Sequence, residues 1–105
     1  MATSKDFMTY VSDQLSVAGE LRCRAMFGEY GFYLDGKFLG VVCDNTVYLK
    51  PTRAGAALLV TPVLAPPYEG AKDYFLLENL EDREQLSALL RATWTELPWP
   101  KGKNR

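Results

Sequence analysis

The sequence predicts an α+β domain: an antiparallel meander of four to five strands packed with an N-terminal, a middle and a C-terminal helix. Three observations carry this reading. Apolar residues recur at helical spacing near both ends of the chain. Between them lie short runs rich in β-branched and aromatic residues, divided by turn signals. The length of 105 residues fits one domain with one modest core.

The first helix is expected over residues 4–16, with Thr3 or Ser4 as its cap and a stripe of Phe7, Met8, Val11 and Leu15. Ala18-Gly19 ends it. Four strands follow: RCRAMF (22–27), YGFYL (30–34), KFLGVVC (37–43) and TVYLK (46–50). Asp35-Gly36 is the strongest turn signal, a pair suited to positive φ; Asp44-Asn45 is a second and Gly28-Glu29 a third.

Two-residue loops at all three turns fix a register. One face then carries Ala25, Phe27, Tyr30, Phe32, Leu39, Val41, Cys43 and Tyr48. The other carries Met26, Tyr33, Phe38, Val42, Val47 and Leu49, with Gly31 opposite Gly40 and a shallow groove at that pair. Both faces are apolar, whereas a sheet with one wet face alternates. Both are therefore expected to be covered.

Pro51 stops the fourth strand, and TRAGAALLV (52–60) reads as a small-residue helix. Residues 61–72, with Pro62, Pro66, Pro67 and Gly70, read as a loop. DYFLLEN (73–79) is the expected fifth strand. The last helix, about 81–97, has Leu86, Leu89, Leu90, Thr93, Trp94 and Leu97 on one stripe. Residues 1–97 form the expected domain and 98–105 a flexible basic tail. Three helices cover one sheet face; the long loop or a second subunit is left for the other, so a homodimer is expected.

Composition narrows the chemistry. Histidine is absent, which removes the commonest general base and metal ligand. Cys23 and Cys43 are too few for a disulfide scaffold and stand too far apart in the register to bridge. No Ca²⁺ loop, phosphate loop or serine-nucleophile motif occurs. Neither a catalytic residue nor a cofactor or metal site is assigned, and the chain is read as not an enzyme. No apolar run approaches the roughly 18 residues a membrane span needs. The start, MATSKDFMTYVSDQL, carries Asp6 and Asp13, unlike a signal peptide. A cytoplasmic location is expected.

The candidate partner or ligand contacts are Arg22, Arg24, Phe27, Tyr30, Phe32 and Tyr48. Arg22 and Arg24 point the same way from a strand and could clamp an anion. A sheet-edge pairing with Asp35 and stacking on Tyr33 weighs more. Tyr30, Phe32 and Tyr48 could stack bases, but only Lys37 and Lys50 share their face, so core or interface weighs more. The G-E-Y-G at 28–31 lacks the flanking helices of a nucleic-acid-clamping loop and is set aside. A net charge of -1 disfavours a domain that coats nucleic acid.

RAMFGEYGFYLDGKFLGVVCDNTVYLKPT, from Arg24 to Thr52, resembles the signature of the TfoX N-terminal domain family: R-x-M-F-G, a Y-G pair, D-G, an apolar strand, an acidic turn and an aromatic-Leu-Lys strand end. PPYEGAKDYFLLENLEDREQLSALLRATWTELPWPK is similar to small stand-alone members of it. The resemblance covers nearly the whole chain. It implies a bacterial α+β domain akin to competence regulators, which act as transcriptional co-activators through protein contact. Those regulators carry a helical C-terminal domain that a stand-alone member lacks. No catalytic residues carry over. The function expected is a non-catalytic regulatory domain that binds a protein and itself. The alternatives are a nucleic-acid binder using Arg22, Arg24 and the basic tail, or a small-ligand binder.

Overall fold

Ser4 opens the first helix, α1 (Lys5–Leu15): its hydroxyl oxygen accepts the Phe7 backbone N–H at 3.1 Å, satisfying a donor with no partner inside the helix. The structure is a computed structural model and describes residues 2–26 and 28–100. Met8, Val11 and Leu15 are buried, as their spacing requires, and a 3₁₀ turn at Ser16–Ala18 follows. Thr52 caps α2 (Arg53–Leu58), accepting from Gly55 N at 2.9 Å. Asp82 caps α3 (Arg83–Glu96), accepting from Gln85 N at 3.1 Å, and Leu86, Leu89, Leu90 and Thr93 turn inward. The Glu96 carboxylate accepts from Ala54 N at 2.9 Å and Arg53 N at 3.0 Å, tying the end of α3 to the positive end of α2. Those bonds hold its carboxyl below the ordinary range.

The strands are β1 (Leu21–Met26), β2 (Glu29–Leu34), β3 (Lys37–Cys43), β4 (Thr46–Leu49), β5 (Leu64–Ala65) and β6 (Tyr74–Leu77). They form one antiparallel sheet in the order β1-β2-β3-β4-β6-β5. The expected meander is β1 to β4, and the expected fifth strand is β6. The short edge strand β5 lies in the segment expected to be loop. Asp35 and Gly36 have φ of 42° and 87°, and Asp44 and Asn45 have 51° and 55°, so both predicted hairpin turns form with positive φ at each central residue.

The register differs from expectation in two places. Met26 pairs with Glu29, so the first turn does not fall at 28–29 as expected, and Arg22, not Arg24, stands opposite Tyr33. Further on, Tyr33 pairs with Phe38 but Phe32 pairs with Gly40, leaving Leu39 as the extra residue of a β-bulge. A one-residue insertion sends every later side chain of that strand to the opposite face. Gly31 therefore faces Val41 instead of Gly40. Val42, Val47 and Leu49 join Phe32 in the core, whereas Val41, Cys43 and Tyr48 turn away from it. Cys23 and Cys43 consequently lie on opposite faces rather than on one.

Packing supplies the reason for the bulge. It buries Leu39 fully and lets the Phe32 ring rest on Gly40. A Cβ at Gly40 would stand 2.7 Å from that ring. The core fills the space between this face and the helices: Phe32, Leu34, Leu39 and Leu49 meet Val11, Leu15 and Leu90. Each such side chain contributes about 1.5–3 kcal/mol through burial. The second face of the sheet carries no helix among the described residues, and none of the described helices is long and apolar enough to cross a membrane.

Candidate functional site

Strand alternation decides what the helix-free face displays. β1 contributes Arg22, Arg24 and Met26, and β2 contributes Tyr33. β3 adds Phe38, Val41 and Cys43; Tyr48 and Tyr74 come from β4 and β6. Tyr33 and Phe38 meet edge-on with centroids 5.2 Å apart. The groove expected at Gly31 and Gly40 does not exist. A Cβ at Gly31 would stand 2.7 Å from the Met26 methyl carbon and 3.0 Å from the Phe38 ring, so these two side chains fill that space.

A concavity of about 690 Å³ lies instead toward the β3–β4 turn. Val41 and Cys43 line it from the centre of the sheet, with Met26, Phe38 and Tyr74 from neighbouring positions. Pro67 and Tyr68 reach it from the loop after β5, and Glu29 and Asp44 lie at its acidic end. The loop is held by a turn in which Ala71 N donates to Tyr68 O at 3.1 Å, and Gly70 supplies the positive φ of 88°.

The two carboxylates are built in different ways. Glu29 accepts from Thr3 N through Oε1 and from Asp44 N through Oε2, both at 3.0 Å. Burial alone would raise its carboxyl, but the bonds from Thr3 and Asp44 outweigh it and the net shift is downward. The Asp44 carboxylate meets no cation among the described residues. Burial, then the fields of Glu29 and Asp44, push the Cys43 thiol upward. Cys43 is therefore a protonated packing group at neutral pH, not an activated nucleophile. Both cysteines are free, and no group of three or more metal-ligating side chains occurs among the described residues.

Of the six contacts expected from sequence, this face brings together Arg22, Arg24 and Tyr48. Arg22 pairs with Glu20 at 3.1 Å rather than with Asp35, whose partner is Arg91 at 2.6 Å. Arg24 lies beside Gly31, not Tyr33. Tyr30 packs against the core on the helix side, near Met8, Ser12 and Cys23, and also borders the concavity. Phe32 is fully enclosed in the core. Phe27 lies outside the described residues, as do 101–105 of the expected tail. Trp99, assigned to that tail, packs edge-on against Trp94 at 5.8 Å. Sequence reasoning missed Met26, Phe38, Asp44, Tyr68 and Tyr74 as one group. The Pro-Pro-Tyr run marks the loop, but only the strand order brings it beside β3.

A second feature adjoins the concavity. Among the described residues, Leu58, Val60, Val63, Leu64 and Tyr68 supply five of the eight large hydrophobics that are exposed, and Val60 is 96% exposed. They cluster where the chain passes from α2 through the edge strand β5.

The family model of the TfoX N-terminal domain matches residues 13–97. An uncharacterized 12.7 kDa protein in the trpE 5' region of Spirochaeta aurantia is 41% identical over 102 residues, covering 96% of this chain and 89% of the relative. No solved structure matches.

Proposed function

The chain belongs to the TfoX N-terminal domain family, and on that premise we propose that it is a non-catalytic interaction domain of a regulatory kind. The exposed apolar run at 58–68 carries this reading. A side chain such as Val60, left almost wholly in water beside exposed neighbours, gains free energy only when another surface covers it. The sheet edge at β5 adds backbone groups free to pair. The partner proposed is a second copy of this chain.

Sedimentation velocity over a wide concentration range tests the reading, comparing wild type with Val60→Asp and Leu64→Asp. Concentration-dependent dimers that both substitutions abolish are expected. A wild type that stays monomeric at millimolar concentration and low salt overturns the self-association.

A further inference from the structure

We propose that the concavity on the helix-free face is a binding site for a small organic cation, an ammonium group carried on an apolar body. This does not rest on the self-association reading: the pocket and the exposed edge are separate surfaces, joined only through Tyr68.

Size and lining come first. A volume of about 690 Å³ lies within the usual range for small-ligand sites. Its interior is apolar and soft, with Val41, the Cys43 thiol and the Met26 thioether. Such a surface takes an aliphatic or aromatic body.

Charge decides the sign of the ligand. Among the described residues, two carboxylates, Glu29 and Asp44, line the cavity and no Lys or Arg does. Glu29 spends both oxygens on backbone N–H groups, so it lends field rather than a contact. The Asp44 carboxylate has no ion-pair partner among the described residues and can take one. Cys43 lies beside both carboxylates in the cavity wall: its thiol is pushed upward first by burial and then by the fields of Glu29 and Asp44. An anion would meet both charges, with no Lys or Arg among the described lining residues to offset them.

The rings agree with the carboxylates. An aromatic face attracts a cation through its quadrupole. Lys50 already stands 5.5 Å from the Phe38 centroid, so that ring is partly engaged. Tyr68 and Tyr74 hold no cation among the described residues. Tyr74 is anchored in β6 and so preorganised, while Tyr68, whose backbone is held by the turn closed by Ala71 N, brings a largely exposed ring. An ammonium placed between these rings and Asp44 keeps its charge paired while its body displaces water from Val41 and Met26.

Phenethylammonium, neutral phenylethanol and anionic phenylacetate, similar in shape, make the test. Each is titrated into the intact protein while the methyl resonances of Met26 and Val41 are followed by NMR. Saturable shifts with phenethylammonium are expected, with affinity about tenfold above phenylethanol and no binding of phenylacetate. Asp44→Asn keeps the turn, because Asn tolerates the positive φ; it is expected to weaken the cation about fivefold and leave phenylethanol unchanged. Equal affinity for phenylethanol, unchanged cation binding in Asp44→Asn, or no shift at the solubility limit overturns the proposal. The readout is local to the cavity, so its failure leaves the self-association reading intact, and a monomeric wild type leaves this one intact.

Discussion

The ammonium of Lys37 lies 4.0 Å from the centroid of the Trp94 ring and donates to the backbone carbonyl of that same tryptophan at 2.8 Å. It also donates to Leu97 O at 2.5 Å. Lys37 is only 5% exposed, yet its charge is satisfied, because it closes the carbonyl end of α3, where the helix dipole is negative. Trp99 adds a second ring at 5.2 Å. The first residue of β3 thus holds the last turn of the final helix.

Lys37→Met is expected to lower stability by about 1–3 kcal/mol, the range for losing charged hydrogen bonds at a buried site. Lys50→Met serves as the control. Its ammonium touches only the edge of the helix-free face, 5.5 Å from Phe38, so a change within about 0.5 kcal/mol is expected. Urea midpoints of the two variants, compared with wild type, check both.

Gly40→Ala is expected to be the most damaging glycine substitution in the sheet. The new methyl would run into the Tyr48 carbonyl oxygen, part of the neighbouring strand, and into the Phe32 ring. Neither yields cheaply, so a loss of about 3 kcal/mol or more, or failure to fold, is expected. Gly70→Ala meets open space and only the strain of φ 88°, costing about 1 kcal/mol. Thermal denaturation of both variants gives the ranking; equal losses would contradict the packing described at Gly40.

These two residues also show what the sequence discloses. Local chemistry is legible: Ser4 caps the first helix, and Asp35-Gly36 and Asp44-Asn45 turn strands, because each depends on its immediate neighbours. The bulge at Leu39 is not legible. In KFLGVVC every residue but Phe38 is buried, so no alternation of apolar and polar side chains marks where the register slips. Pairings across the fold are equally hidden. Lys37 with Trp94 and Asp35 with Arg91 are joined over more than fifty positions, and only the docking of α3 brings them together. The candidate site suffers most, since the slip at Leu39 moves Tyr48 away from Phe32 and assembles Val41, Cys43 and Phe38 on the helix-free face.

The Asp35 carboxyl is held below its ordinary range, first by the N–H of Glu20 at 2.9 Å and then by Arg91. A group whose folded value is depressed contributes stability above its unfolded value, about 3.9 for aspartate. That contribution disappears as pH falls through the folded value. Glu29, with the same downward shift, adds to the trend. Wild type is therefore expected to lose stability below about pH 4. Asp35→Asn keeps the turn and the Glu20 contact but not the ion pair, so its acid loss is expected to be shallower. Urea midpoints measured at neutral and acidic pH decide this; parallel curves for the two proteins would remove Asp35 from the account.

The cysteines give a test of the register itself. Cys23 pairs with Phe32 on the helix side, and Cys43 pairs with Thr46 on the opposite side. Burial pushes both thiols upward; Ser12 partly counteracts this at Cys23, and the nearby carboxylates reinforce it at Cys43. Low thiolate fraction and poor access combine to slow attack on a thiol reagent. The native protein is expected to show two free thiols, both reacting at least severalfold more slowly than in denaturant. Mild oxidation should yield no intramolecular disulfide, because a bridge cannot pass through a packed sheet. Mass spectrometry of the oxidised, alkylated protein reads the outcome. An intact-mass loss of two hydrogens in the monomer would contradict the placement of both strands, because the two sulfurs are out of bonding reach in this register and in the one without the bulge alike.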